Sequence, residues 1–382
     1  MFLALRTLVF QRGRLVLLGI VIFLLSLLTV MLSGLSSGLV NDGVSGLKRL
    51  PVTAFAFSEG TQLDSAFTRS VVDGEQLELW SERDGIEDAT LMGLSIVNTH
   101  NQDGLAVDVT LFGVDPEGFL APKTGEGEEL GPLDGVVLSA SAEEDGVKVG
   151  DVLTLDRVGT ELRVIGFTTG QDTFGHVNVG YVPLPTWQFL SMALEAPGPV
   201  TEADVATVTH NIASAIALKA EGDSLSQVDV AAADAAAGTV TRDLTTSFGA
   251  SPGYTAETTT IVLIQVFLYV ITALVIGAFF TVWTVQRQHE IAVLRAIGAP
   301  TGFLLRDGVI QAAAILVTFA GVGLLAGMGM AATMPAAVPF ALEMTPVLTA
   351  LTAMVVLGLI GAAIAVGRIV RIDPLAALGG QR

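Results

Sequence analysis

A chain of 382 residues that is 51% hydrophobic, only 15% charged and carries a formal net charge of −19 is too apolar for an ordinary soluble domain. It is also too acidic to neutralise phosphates, which excludes nucleic acid as a partner. Cysteine is absent, so disulfides and thiolate metal sites are excluded as well.

Four long apolar runs organise the chain as one, then a large insert, then three more. A basic segment, residues 1–14 with Arg6, Arg12 and Arg14, precedes the first run, Leu15 to Leu39. Like the other three, this run contains no Asp, Glu, Lys, Arg or His. It exceeds the roughly 20 residues that cross a hydrocarbon core as a helix, and is too long for the apolar region of a cleaved leader, about 7 to 15 residues. It is therefore expected to be retained as span one. Gly34 and Gly38 form a small-x-x-x-small pair near its outer end, a spacing that suits close packing against a second copy.

The insert, residues 40–260, holds ten basic and thirty-four acidic side chains, a net of −24. Ser36 to Leu50 is expected to carry span one outward as an arm, and Thr241 to Thr260 to lead back toward span two; these two connections would transmit motion between membrane and domain. Between them, Gly146 to Asp151 reads as a turn into a strand, Val152 to Leu155, and the β-branched stretches Arg163 to Phe167 and His176 to Pro183 read as two further strands. Ser224 to Ala237 reads as a helix, with Ser224 and Gln227 spaced as a capping box. The sum is a mixed α+β domain. His100, His176 and His210 stand apart without metal-ligand spacing, and Ser139 and Ser141 lie outside any nucleophile-elbow context. The run Glu126 to Glu129 reads as a solvated loop.

Span two is Ile261 to Val285. Residues 286–308 follow it, and within them Ile291, Leu294 and Ile297 recur at helical spacing among Arg287, Glu290 and Arg295. Gly298 can adopt the left-handed conformation that ends a helix, and Pro300 discourages continuation. A short amphipathic helix at the membrane face is expected, either lying among headgroups or docking a soluble partner. Span three, Val309 to Met334, carries a second small-residue pair, Gly323 and Gly327; the loop 335–347 leads to span four, Leu348 to Gly367, and a tail, 368–382.

Charge sets the orientation. The segments 1–14, 286–308 and 368–382 hold nine arginines against Glu290, Asp307 and Asp373, a net of +6, so the positive-inside rule places them in the cytoplasm. Both termini are then inside, and the insert and the 335–347 loop outside. Spans without ionisable residues disfavour ion-coupled transport and proton pumping. No lysine follows a glycine, so the chain has no phosphate-binding P-loop of its own and is not expected to be an enzyme. Energy for uphill transport would have to come from elsewhere.

The stretch Arg287-Gln288-His289-Glu290-Ile291-Ala292-Val293-Leu294-Arg295-Ala296-Ile297-Gly298-Ala299 resembles the coupling segment of FtsX-like, macrolide-exporter-type ABC transporter permeases. The tail Asp373-Pro374-Leu375-Ala376-Ala377-Leu378 is similar to that family's ending, and Val136 to Ser139, Gly146 to Asp151, Val164 to Gly166 and Tyr181 to Leu184 resemble its outer domain. The resemblance implies an α-helical membrane protein with four transmembrane helices, one plus three, and a mixed α+β extracellular domain between helices one and two. It implies a homodimer in membrane lipid working with two copies of a separate ATPase that binds ATP, with Arg287, Glu290, Ile291, Leu294, Arg295, Ile297 and Gly298 as the coupling surface.

Within that family, the opening Leu3-Ala4-Leu5-Arg6, then Arg12-Gly13-Arg14 and a Leu-rich span, most resembles the heme-exporting permeases of Gram-positive bacteria. This implies heme, or a related hydrophobic compound, as substrate, with no intrinsic cofactor or resident metal. A site opening to the outer leaflet would draw on Met31, Ser33 and Ser36 of span one and Glu257, Gln265 and Tyr269 around the start of span two, with Lys48 and Arg49 available to carboxylates. Two other roles fit the same architecture: a mechanical transmitter that activates a cell-wall hydrolase without moving a substrate, and release of lipid or lipoprotein.

Overall fold

The computed structural model describes residues 12–286, 293, 297–335 and 338–370. It divides into two compact units, a membrane unit of Met1–Leu39 with Thr258–Arg382 and a domain of Val40–Glu257.

In the membrane unit the four apolar runs are helices, Arg12–Lys48, Tyr254–Gln286, Thr301–Ala331 and Met344–Val370. All except the third outlast their apolar runs at both ends. The third stops at Ala331, short of Met334, where the chain turns. Pro346 falls in the first turn of the fourth helix, where a missing N–H costs nothing. The helices meet through small residues. A Cβ on Gly323 would lie 2.6 Å from Ser26, and one on Gly327 2.6 Å from Val30, so the span-three pair seats span one. Ser26 also donates a hydrogen bond to the Ala320 carbonyl at 2.9 Å. Spans two and four approach as closely, since a Cβ on Gly361 would lie 2.5 Å from the Ala273 carbonyl oxygen. The inward faces bury Leu18, Ile22, Ile276, Phe280, Leu316 and Ala362 together. Outward, Phe267 is 61% exposed, Leu274 67% and Leu325 68%, a surface that suits lipid rather than water.

Gly34 and Gly38 do not face a free surface. A Cβ on Gly34 would strike the Phe340 ring, one on Gly38 the Pro339 carbonyl, and Ala341 donates its N–H to the Gly34 carbonyl at 3.0 Å. The chain's own loop thus fills the space beside these two glycines.

The domain is a twelve-stranded mixed sheet with a separate two-stranded piece, Val72–Asp73 with Ile212–Ala213. Its main path runs Gly198–Pro199, Thr160–Thr168, Gly135–Leu138, Val177–Pro183, Ala106–Val114, Ile86–His100, Ala215–Ala220, Ala54–Ser58, Thr239–Asp243. Side chains alternate across a strand, and the strand Ala54–Ser58 shows the result. Ala54 and Ala56 join the cluster of one face, with Trp80, Leu91 and Trp187, while Phe55 and Phe57 join the other, with Phe67, Phe112 and Phe174. The aromatic face is held edge to face, with Phe55 and Phe67 centroids 5.0 Å apart at 82° and Phe112 and Tyr181 5.6 Å apart at 80°. Val44, at which the first long helix breaks, and Leu47 just past it pack on that face.

The strand Val152–Leu155 has the expected bounds, and Gly146 and Gly150 before it both have positive φ. Val177–Pro183 begins one residue later than read, because His176 sits in a turn at φ 64°. Two readings change. The segment 224–237 is not one helix: Ser224 caps a single 3-10 turn, Val228 is extended, and Asp229 caps the helix Val230–Ala237 by accepting from the Ala232 N–H. The acidic run is not all loop, since Glu126 and Gly127 belong to the exposed strand Thr124–Gly127, paired to Thr160–Thr168.

Candidate functional site

The residues expected to meet a substrate fall into both units. In the membrane unit, Met31 and Tyr269 pack against one cluster, built from Val30, Ala320, Val347, Leu351 and Met354. Ser33 is buried, whereas Met31, Ser36, Gln265 and Tyr269 are half-buried and keep part of their surface. Tyr269 also opens a groove of about 530 Å³ between spans two and four, which runs past Gly277 and Gly361 to Ile364. Tyr269 and Thr281 are its polar side chains, so the groove suits an acyl chain or similar apolar body better than a carboxylate.

In the domain, Lys48 donates to Asn41 Oδ1 at 2.8 Å. Arg49 lies 3.4 Å from Asp172 Oδ1 and lines a pocket of about 250 Å³ with Phe119, Lys123, Thr168 and Tyr181. Asp172 is almost wholly buried. Its other oxygen accepts from Thr168 at 2.6 Å, and its N–H donates to Ser139 Oγ at 2.8 Å. Burial pushes this carboxyl above its ordinary pKa, against the lowering effects of the Thr168 hydroxyl and the Arg49 charge. Glu257 does not share that pocket. Both its oxygens lie 3.2 Å from Nε2 of His176, whose Nδ1 is 2.7 Å from Asp42.

Sequence reasoning named Lys48, Arg49 and Glu257 but missed Asp172, the partner of Arg49, and it took His176, which pairs with both Glu257 and Asp42, for an isolated histidine. Asp172 and Asp42 carry no motif; only the fold of the Gln171–His176 segment against Asn41, Asp42 and Ser45 brings them in. His100 likewise meets Asp156 at 2.6 Å, and His210 is exposed. Among the described residues there is no group of three His, Asp or Glu side chains arranged to hold a metal.

Of the coupling surface, Arg287, Glu290, Ile291, Leu294 and Arg295 lie outside the described residues. Ile297 is 80% exposed, an unusual setting for an isoleucine unless a lipid or protein covers it. Gly298 has φ 100°, a conformation that admits glycine and few other residues.

Residues 262–374 match the family of FtsX-like permease C-terminal domains. Over its full length the chain is 27% identical to the "Putative hemin transport system permease protein HrtB" of Staphylococcus haemolyticus, covering 100% of each chain. It is 23% identical to the protein of that name from Staphylococcus epidermidis strain ATCC 12228, covering 99% of that protein. An uncharacterized ABC transporter permease of Mycobacterium tuberculosis strain H37Rv is also 23% identical, over 100% of this chain and 99% of that one. Among solved structures, the extracellular domain of the transporter YknZ from Gram-positive bacteria covers 50% of this chain at a TM-score of 0.35 and 13% identity, with 98% of its own length matched. The periplasmic region of MacB from Actinobacillus actinomycetemcomitans covers 51% at 0.36 and 16%, with 92% of its own length matched. With four apolar helices and an α/β domain between the first and the second, the chain carries an FtsX-like permease C-terminal domain at residues 262–374 and is similar over its full length to ABC transporter permeases.

Proposed function

We propose that this permease is the membrane subunit of an ATP-driven exporter that extrudes heme, or a related hydrophobic compound, from the bilayer. The observation that supports the reading is 27% identity over the full length of the chain to a protein named "Putative hemin transport system permease protein HrtB". A dimer drives the transport with two copies of a separate ATPase, docked on the segment from Arg287 to Gly298. The nine arginines of segments 1–14, 286–308 and 368–382 set those segments in the cytoplasm of the cell membrane, and the insert and the 335–347 loop outside. Residues 15–39, 261–285, 309–334 and 348–367 are the parts within lipid.

Heme is a flat apolar ring with two carboxylates, and the surface left on Met31, Ser36, Gln265 and Tyr269 supplies apolar contact with a few polar groups. Ser33 faces its own bundle and would act through packing. Lys48 and Arg49 supply the cations, while Glu257 is held by His176 and acts through that pairing.

The test is ATP hydrolysis by the full chain reconstituted with its partner ATPase. Hemin should raise turnover several-fold and give a Soret band on the purified permease, and both effects should weaken in Met31→Ala and Tyr269→Ala. If hemin neither binds nor stimulates while a lipid or a lipophilic drug does, heme is the wrong substrate. No response to any of them would favour a transmitter of force to an outer hydrolase.

A further inference from the structure

His176 is the point at which two parts of the domain leading to the membrane spans meet a third. Asp42 belongs to the helix Arg12–Lys48, just past the first apolar run, and Glu257 to the first turn of the helix Tyr254–Gln286, just before the second. The imidazole stands between them on the turn that joins strands Thr173–Phe174 and Val177–Pro183. Two consecutive left-handed residues, Gly175 at φ 61° and His176 at φ 64°, aim the ring. For a histidine that backbone is uncommon and costs energy, so the surrounding contacts must hold it. Gly43 lies beside the ring, where a Cβ would stand in ordinary van der Waals contact with the imidazole Cε1 at 3.8 Å.

The two carboxylates sit on opposite ring nitrogens, at 2.7 Å for Asp42 and 3.2 Å for both oxygens of Glu257. That arrangement excludes a metal bound by all three residues, because one ion cannot occupy both sides of the ring. It also fixes what the ring must carry. A neutral imidazole donates from one nitrogen and presents a lone pair at the other, whereas the imidazolium donates from both. The shorter bond keeps its proton on Nδ1, so loss of a proton leaves the Nε2 lone pair facing Glu257.

We propose that His176 is a proton-operated latch: as imidazolium it ties Asp42 and Glu257 to the domain's turn, and as neutral imidazole it keeps Asp42 and lets Glu257 go. Burial disfavours the charged ring, but the hydrogen bond to Asp42 and the charges of Glu257 and Asp42 outweigh it, and the net direction is upward from the ordinary histidine value. Among the described residues, the charged groups facing the imidazole are these two carboxylates. Gln171 donates to Asp42 at 3.3 Å, and the residues flanking His176, Gly175 and Val177, are uncharged, with Pro252 packed at Gly175. The sign follows. A raised pKa means the latch is closed below the ordinary histidine value and is lost as pH rises through the higher, folded-state value.

Hydrogen–deuterium exchange on the full chain in lipid nanodiscs, followed from about pH 6 to about pH 9 and corrected for intrinsic exchange, tests this. The readout is the segment 253–257, where the Glu257 N–H is bonded to the Gly253 carbonyl. Protection there should fall several-fold as pH rises, while the 41–43 amides change little. His176→Asn keeps a residue that tolerates the left-handed backbone but cannot ionise, and should show low protection of 253–257 at every pH. Glu257→Gln should stay protected across the range, because its amide can donate to a neutral imidazole. A wild-type profile without a step, or the same step in His176→Asn, overturns the proposal. If His176→Asn loses protection in the strand Ile86–His100 and so is misfolded, the Glu257→Gln profile decides alone: a step as large as in wild type overturns it.

Discussion

Gly361 has no room for a side chain, because the carbonyl oxygen of Ala273 occupies the position its Cβ would take. Gly277 stands opposite, with Gly361 O 3.4 Å from where its own Cβ would be, so backbone meets backbone where spans two and four cross. Backbone cannot rotate away as a flexible side chain can, and the helices themselves must part. Gly361→Val should therefore destabilise the membrane unit by about 1–3 kcal/mol, the usual range for overpacking, seen as a lower Tm of the full chain in detergent. Gly321, with nothing near its absent Cβ, is the control, and Gly321→Val should leave Tm close to wild type. Equal losses at both positions would mean that valine is disfavoured there for reasons other than contact.

Within the domain, the helix Leu184–Ser191 is seated by a slot in the sheet rather than by a broad apolar face. Gly93 and Gly113 are cross-strand partners, and a Cβ on either would strike Trp187, at 2.1 Å and 2.3 Å. The indole fills the gap left by two absent side chains, and its Nε1 donates to Ser95 at 2.8 Å. Trp187→Ala should cost about 3–5 kcal/mol in denaturant unfolding of the domain, as for other buried aromatics. Gly93→Ala should also destabilise; a neutral result there would show that the slot has slack. The pair lay in plain sight in the sequence, yet nothing marked it. The same holds for the long hairpin Ile86–His100 with Ala106–Val114, whose runs mix buried and exposed residues irregularly and so carry weak alternation. The spans were legible because a charge-free run of that length has few other solutions. Val152–Leu155 was legible from its β-branched content and its glycine-flanked turn. What the sequence could not disclose was contact at long range: Asp172 beneath Arg49, Asp42 and Glu257 on either side of His176, and Phe340 against Gly34. Each depends on where a loop is laid down, and no local preference encodes that. The 224–237 segment was misread for a related reason, since Ser224 and Asp229 both offer caps and the extended Val228 between them divides the helix.

For the whole molecule, the orientation proposed from arginine placement can be checked directly because the chain has no cysteine to mask or mutate. Glu126→Cys lies on an exposed edge strand of the domain, and Ile297→Cys on the exposed end of the segment between spans two and three. In intact cells a membrane-impermeant maleimide should label Glu126→Cys at once, and Ile297→Cys only after the membrane is opened. The reverse pattern would invert the topology and remove the ATPase docking surface from the side where ATP is made.

The stretch 338–343 looks like the least consequential part of the chain, a short connector between two spans. Phe340 and Pro339 fill the notches at Gly34 and Gly38, and Ala341 hydrogen-bonds back to the same helix. A connector built this way behaves as interior. It is a poor place to graft an epitope or exchange sequence between relatives, and a change in its length would be felt first along span one, far away in sequence.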